Sequence, residues 1–327
     1  MAQTHFTPPG PLGFGGAPLG NMFGVVSEET AEAALVAAWE TGVRHFDTAP
    51  HYGSGLSEHR VGAVLRRHPR EEFVLSTKVG RILRPDRSRP ENPPFVQGLP
   101  FRVEYDYSYD GAMRSLEHSC QRLGLAQIDV VYIHDIAADH HGDDWKQLFE
   151  TAMNGAARAL IRLRDEGVIK GWGLGVNLTE PCERALAMSD PDVFLLAGRY
   201  SLLNQPALDR LFPVCAERGV HVVIGGPYNS GLLAGGRHFE YEEAPPEMVR
   251  KRDRIAEICD RHGIDLRSAA LQFCAAHPVV SAIIPGSKHA DKVRENARLM
   301  AAPTPPALWD ELRHEGLIPA EAPTPAG

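Results

Sequence analysis

Val43-Arg44-His45-Phe46-Asp47-Thr48-Ala49-Pro50-His51-Tyr52-Gly53 reads as a short strand that ends on an acid and opens into a loop punctuated by proline and glycine. Two later stretches end in the same way: Leu75-Ser76-Thr77-Lys78 and Val131-Tyr132-Ile133-His134 each run through strand-forming residues to one ionisable group. In a closed parallel barrel the carboxyl ends of the strands face one shared mouth. Asp47, Lys78 and His134 would then meet there, with Tyr52 five residues beyond Asp47 in the loop.

Outward from these stretches, helical and strand-like segments alternate along the whole chain, the pattern of a parallel sheet with helices outside it. Ser27, followed by Glu28 and Glu29, predicts a helix start; Ala31, Ala34, Leu35 and Ala38 share its apolar face, and Gly42 stops it. The other predicted helices lie around Val61 to Leu65, from Ser108, around Leu208 to Arg218, Val249 to Arg261 and Asp291 to Met300. One longer helix carries Phe149, Ala156, Leu160 and Leu163 on its inner side and ends at Glu166-Gly167. Strands are expected at Leu12 to Gly15, Val43 to Phe46, Phe73 to Val79, Ile128 to Ile133, Trp172 to Val176, Val193 to Ala197, Val220 to Ile224 and Val279 to Ile284. Eight strands, each with a helical candidate behind it, match an α/β (β/α)8 TIM barrel in a single domain; an open doubly wound sheet shares the alternation. The barrel is expected over 1–319 and a Pro/Ala-rich disordered tail over 320–327. Two segments exceed ordinary connections: Leu83 to Tyr107, with five prolines, and Gly225 to Glu247. Both would lie at the carboxyl mouth, as substrate-binding loops.

The net charge of -8 leaves no basic footprint for nucleic acid or an anionic membrane, so neither is expected as a partner; oligomeric state is left open. Five scattered cysteines without a Cys-x-x-Cys pair read as reduced core thiols. The first sixteen residues have neither a basic start nor an apolar run, so the chain reads as cytoplasmic.

The grouping of Asp47, Tyr52, Lys78 and His134 suggests proton transfer. A phenol ordinarily ionises near pH 10, too high for efficient acid-base work at neutrality. An ammonium about 4 Å away would favour the phenolate by roughly 4 kcal/mol at an effective dielectric of 20. Lys78 is therefore expected to draw the Tyr52 ionisation down, Asp47 to orient Lys78, and His134 to hydrogen-bond the reacting oxygen.

Phe46-Asp47-Thr48-Ala49-Pro50-His51-Tyr52-Gly53, Ser76-Thr77-Lys78 and Tyr132-Ile133-His134, with Gly173-Leu174-Gly175-Val176-Asn177 and Ile284-Pro285-Gly286-Ser287-Lys288, resemble the signatures of the aldo-keto reductases in order and spacing. The resemblance covers most of the chain. It implies the barrel, a nicotinamide cofactor, hydride transfer to or from a carbonyl or alcohol carbon, and Tyr52 as general acid or base. It also implies cofactor contacts from Asn177, Gly225, Pro227, Ser230, Leu232, Ser287, Lys288, Lys292, Glu295 and Asn296. Ala197 and Gly225 stand where the family has a Gln and a ring-stacking aromatic, leaving Tyr228 or Tyr200 to stack. Gly286 replaces a lysine common in NADP-preferring relatives, which favours NAD over NADP. Leu12 to Asn21, Tyr105-Asp106-Tyr107-Ser108 and Gly226 to Gly231 resemble a branch that oxidises the cyclic hemiacetals of aldoses and of pyridoxal. An aldose oxidised to its lactone is expected first, with Tyr105 and Asp106 reading its hydroxyls; pyridoxal oxidation or general aldehyde and ketone reduction is the alternative.

The cluster His134-Asp135, Asp139, His140, His141, Asp143 and Asp144 invites a metal-hydrolase reading. Most of it lies in one loop without ligand spacing, so a solvated acidic loop is expected and no metal. A non-catalytic binding protein on the same fold is the third possibility, disfavoured by the complete tetrad. No Walker loop or Gly-x-Ser-x-Gly elbow occurs, against phosphoryl or acyl transfer.

Overall fold

In the structure, a computed structural model that describes residues 6 and 9–325, eight parallel strands follow one another around a closed barrel. They are β1 (Phe14–Gly15), β2 (His45–Asp47), β3 (Val74–Val79), β6 (Val130–His134), β7 (Gly171–Val176), β8 (Val193–Ala197), β9 (His221–Gly225) and β12 (Val280–Ile284). Closure comes from parallel bridges Leu12 to Ile283 and Gly15 to Gly286, with the Gly13 N–H donating to the Ile283 carbonyl at 2.8 Å. All eight predicted strands are present within two residues of their expected ends. Two short hairpins stand apart from the barrel: β4 (Arg81–Pro85) with β5 (Phe101–Tyr105), and β10 (His238–Phe239) with β11 (Glu242–Glu243).

The helices α1 (Glu28–Glu40), α2 (Leu56–Leu65), α3 (Tyr109–Leu123), α4 (Ala138–His141), α5 (Trp145–Asn154), α6 (Ala156–Asp165), α7 (Thr179–Met188), α8 (Leu211–Arg218), α9 (Pro246–Arg261), α10 (Leu266–Ala275), α11 (Ala290–Ala301) and α12 (Pro306–His314) accompany the barrel. Ser27 caps α1 by accepting from the Thr30 N–H, and Ala31, Ala34, Leu35 and Ala38 are all buried against the sheet. Strand residues that face outward, such as Phe46, Val131, Leu174 and Ile224, join the main core under the helices. Those that face inward, Val74, Val130, Tyr132, Val193, Val223 and Ala282, fill the barrel, with Phe6 packed among them.

The structure departs from expectation in three places. The single helix expected through Phe149 and Leu163 is two, α5 and α6, parted at Gly155, where an added Cβ would lie 2.7 Å from the Tyr107 carbonyl. The proline-rich connection after β3 is not an open loop, because its two ends pair as the β4–β5 hairpin. The tail expected to be disordered packs over its described part, residues 320–325. Ala322 is buried, and Arg313 donates to its carbonyl at 3.0 Å and to Thr324 Oγ1 at 2.8 Å. Residues 326–327 lie outside the described residues, as do 1–5, 7 and 8 in the segment read for targeting. No described helix is long and apolar enough to cross a membrane.

Candidate active site

Asp47 closes β2, Lys78 is the penultimate residue of β3 and His134 closes β6, so register alone delivers three groups to the carboxyl mouth. The turn that carries Tyr52 is held against the first loop at Gly53, whose φ is +65° and whose missing Cβ would lie 2.5 Å from the Gly20 carbonyl oxygen. Ser57 anchors the same turn by donating to the Gly16 carbonyl at 2.8 Å and bonding Thr48 Oγ1 at 2.9 Å.

Lys78 Nζ donates to Asp47 Oδ2 at 2.6 Å and to the Thr48 carbonyl at 2.9 Å, while Ser76 Oγ donates to Asp47 Oδ1 at 2.7 Å. Both members of the pair are buried, so every polar atom needs its partner and the ammonium position is fixed. Burial pushes the Asp47 carboxyl up, opposed by the Lys78 charge and the hydrogen bonds from Lys78 and Ser76. Nζ stands 4.7 Å from the centroid of the Tyr52 ring. The expected lowering of the Tyr52 ionisation is not what this geometry produces. Burial, then the carboxylates of Asp47 and Asp135, hold the phenol well above its ordinary value. Lys78 is paired with Asp47, and burial together with the carboxylates of Asp47 and Asp135 outweighs the cations around the phenol.

His134 lies with its ring centroid 5.8 Å from that of Tyr52 and 6.0 Å from that of His51. Its carbonyl accepts from the Tyr107 hydroxyl at 2.9 Å, and its ring contacts Arg81, a buried residue at the start of β4 that sequence patterning did not single out. Part of the acidic loop belongs to this framework. Asp135 is buried against Arg81, His140 Nε2 lies 3.2 Å from Asp135 Oδ2, and His141 Nε2 bonds the Tyr107 hydroxyl at 2.8 Å. Among the described residues no group of three or more His, Cys, Asp or Glu is placed to hold a metal ion.

A cavity of about 580 Å³ opens beside Asp47 and Tyr52 and extends past the end of β9 to α11. Asn177, Gly225, Pro227, Ser230, Ser287, Lys288, Lys292, Glu295 and Asn296 all line it. Leu232 does not: it is buried in the core, and its N–H bonds the Asn229 carbonyl. Tyr105 and Asp106 are likewise absent from the lining, as are Lys78 and His134, which stand behind Asp47 and Tyr52. The Asp106 carboxylate accepts from the Ser108 N–H at 3.1 Å and its hydroxyl at 2.6 Å, a turn leading into α3, and Tyr105 is half exposed beside Tyr107 and His141.

The cavity also has walls that sequence reading missed: Met22 and Phe23 from the first loop, Asp139 from α4, Arg199 after β8, Tyr241 from the loop after β9, and Arg267 on α10. Phe23 stacks on His238, ring centroids 5.7 Å apart, joining the first loop to the loop after β9. Arg199 ties the far side together: it donates to the Asn177 carbonyl at 2.5 Å and pairs with Glu240. Glu240 and Tyr241 both have left-handed backbone, φ +51° and +70°, and the Tyr241 N–H bonds Ser230 Oγ at 2.9 Å. They are the two central residues of the β10–β11 turn, where a two-residue hairpin takes positive φ at both positions.

A nicotinamide dinucleotide fits this cavity on two observations. Asn229 lines it, is only 2% exposed, and has both side-chain amide atoms unpaired, a costly arrangement that a ligand rich in hydrogen-bonding groups would relieve. Next to it the floor is bare: Gly226 has φ +58° and open space where a Cβ would stand, and Gly225 abuts Ala197. Tyr200 cannot stack on a ligand there, being fully buried between Phe212 and Phe273. Tyr228 lines the wall, its hydroxyl bonded to Asn296 at 2.8 Å. At the α11 end, Glu295 accepts from Lys292 and pairs with Arg267, each at 2.8 Å.

Residues 11–314 match the family model described as the Aldo/keto reductase family. The chain is 43% identical to pyridoxal 4-dehydrogenase of Microbacterium luteolum and 40% identical to D-threo-aldose 1-dehydrogenase of Pseudomonas sp, each match covering 94% of both chains. Among solved structures, an aldo-keto reductase from Bacillus halodurans in its holo form superposes with a TM-score of 0.73 at 26% identity, covering 98% of this chain and 97% of that one.

Proposed function

The chain belongs to the aldo/keto reductase family and is an oxidoreductase acting on alcohol and carbonyl carbons; from that premise we propose that it oxidises the hydroxyl-bearing carbon of a cyclic hemiacetal to a lactone, with NAD. The observation that carries the reading is the convergence of Tyr52, the Lys78–Asp47 pair and His134 at one barrel mouth beside a cavity with an unpaired Asn229. A bound nicotinamide supplies the hydride acceptor. Tyr52 takes the hydroxyl proton, Asp47 and Lys78 hold the charge beside it, and His134 hydrogen-bonds the oxygen so that the carbon stays aligned. Because the phenol is held high, its basic form is scarce at neutrality, and oxidation gains as pH rises.

Two hemiacetals suit this chemistry. The aldose reading relied on Tyr105 and Asp106; the Asp106 carboxylate is spent on the turn before α3, and Tyr105 stands half exposed beside His141. The cavity walls are apolar at Met22, Phe23 and Tyr241 and polar at Asp139, Asn177, Arg199 and Glu240. Such a divided lining suits a flat ring with polar substituents, and on that ground pyridoxal is proposed ahead of a small aldose such as L-fucose or D-arabinose. Nicotinamide reduction measured with pyridoxal, L-fucose, D-arabinose and their epimers, each with NAD and NADP, tests the proposal. Pyridoxal turnover with NAD at the highest kcat/KM is the expected result. Sugar turnover sensitive to configuration, with pyridoxal inert, would restore the aldose; turnover of simple aldehydes alone would end the hemiacetal reading.

NAD is favoured because Glu295 pairs with both Lys292 and Arg267, two of the cations that line the α11 end of the cavity. A carboxylate there repels a phosphate dianion and accepts from ribose hydroxyls.

A further inference from the structure

Arg81 is 2% exposed and reaches the back of the catalytic histidine. Its Nη1 carries two hydrogens: one is directed at His134 Nδ1, 2.8 Å away, and the other at Asp135 Oδ2, 2.7 Å away. Gly80, at φ +102°, sets the approach, since an added Cβ would lie 2.4 Å from the Tyr107 ring that packs there. A guanidinium has donors only and keeps its charge at every pH at which proteins fold. Whatever lies 2.8 Å from it in bonding alignment must accept. Nδ1 therefore presents a lone pair, the ring is neutral, and its proton is on Nε2.

We propose that Arg81 is a positioning residue for the reaction, holding His134 as the neutral Nε2–H imidazole so that the reacting oxygen always meets a donor in one orientation.

The surroundings agree from every side. Cations face the ring from β4, in Arg81, and from β3, in Lys78; His51 and Tyr52 approach from the turn after β2. The Asp135 carboxylate has its Oδ2 3.4 Å from Nε2, but that oxygen is already bonded to Arg81 and lies 3.2 Å from His140 Nε2 of α4. Burial, then Arg81 and Lys78, keep the imidazole ionisation well below its ordinary value. Tyr107 holds the main chain of the residue through the His134 carbonyl, while Arg81 holds the ring at Nδ1. Asp135 neutralises Arg81 and lets the guanidinium be buried at all.

The inference rests on the reading of His134 as donor to the reacting oxygen, but its test does not need the substrate. In protein labelled with ¹⁵N-histidine, two-bond proton–nitrogen correlations report the tautomer and charge of each ring; a His134→Gln spectrum identifies the signals among the fifteen histidines. The wild-type His134 pattern is expected to show a proton fixed on Nε2 and no titration between pH 5 and 9. In Arg81→Met the ring should titrate within that range and show both tautomers. With a turned-over substrate, kcat in Arg81→Met should fall at least tenfold, with cofactor affinity by fluorescence within threefold. Arg81→Lys, which keeps a charged donor, should recover most of the loss. The ratio of wild-type to Arg81→Met rate should change with pH at the midpoint seen by NMR, which a merely structural role would not produce. An Nδ1–H tautomer or a titrating ring in the wild type overturns the proposal, as does a tautomer and pH profile unchanged in Arg81→Met. The wild-type spectrum decides the matter even where Arg81→Met fails to fold. Absence of turnover with every hemiacetal would sink the proposed function and leave the spectrum standing.

Discussion

Tyr52→Phe removes one oxygen atom from the cavity and leaves the ring that Lys78 and Phe95 pack against. Turnover should drop by about 100-fold or more, the usual loss for a general acid-base group, while cofactor affinity stays within a few-fold. Near-normal turnover would remove Tyr52 from the chemistry. Lys78→Met probes a different quantity. It takes away the one ammonium beside the phenol and strands the buried Asp47 carboxyl, so the phenol's already high ionisation moves higher still. The oxidative rate should then climb over a more alkaline range than in the wild type, and a superimposable pH-rate profile would show that the Lys78 charge does not reach the phenol. Of the residues at this scale, sequence position identified the tetrad because each member ends or follows a strand. It could not reveal that Lys78 is spent on Asp47, which depends on distances across β2 and β3.

At the level of elements, α11 and α10 decide the adenosine end. Glu295 on α11 holds Lys292 three residues earlier and Arg267 from α10, so one carboxylate occupies two cations. Glu295→Gln releases both. The ratio of kcat/KM for NADP to that for NAD is expected to rise by about tenfold, the equivalent of roughly 1.4 kcal/mol from restored phosphate contacts. An unchanged ratio would place the specificity elsewhere, with Lys288 the next residue to replace. The helices themselves were legible from periodicity and caps: Ser27 and Ser108 cap α1 and α3 as their sequences suggest. The hairpin of β4 and β5 was not, because prolines mask strand pattern and its pairing joins residues up to twenty-four apart, Arg81 with Tyr105. Arg81 was missed for the same reason, since its role appears only once that hairpin folds over the β6 end.

The barrel as a whole encloses His45, fully buried, with both ring nitrogens unpaired and its ionisation lowered to about 4. Above pH 6.5 the ring is neutral folded or unfolded and its effect on stability is constant. As pH falls below that, the unfolded chain takes up a proton that the folded barrel refuses, so stability is lost progressively down to about pH 4. At pH 5 the loss from this one group is about 2 kcal/mol. Urea unfolding at pH 7.5 and 5.0 should therefore show a smaller difference in His45→Leu than in the wild type by about that amount; equal differences would mean the ring is accessible to protons in the native state. The eight-strand count, the order of elements and the meeting of Asp47, Tyr52, Lys78 and His134 at one end were legible in the sequence, because alternation, caps and strand ends are local and periodic, and a barrel turns strand ends into a single mouth. Only the tertiary structure decided that Asp106 serves the turn before α3 and lies outside the cavity, that Leu232 belongs to the core, that Ala322 packs where composition suggested disorder, and that Arg81 grips His134. Each of these depends on which partner reaches a group first when distant segments meet, and hydrogen bonds and burial are short-ranged in space while unconstrained by separation along the chain.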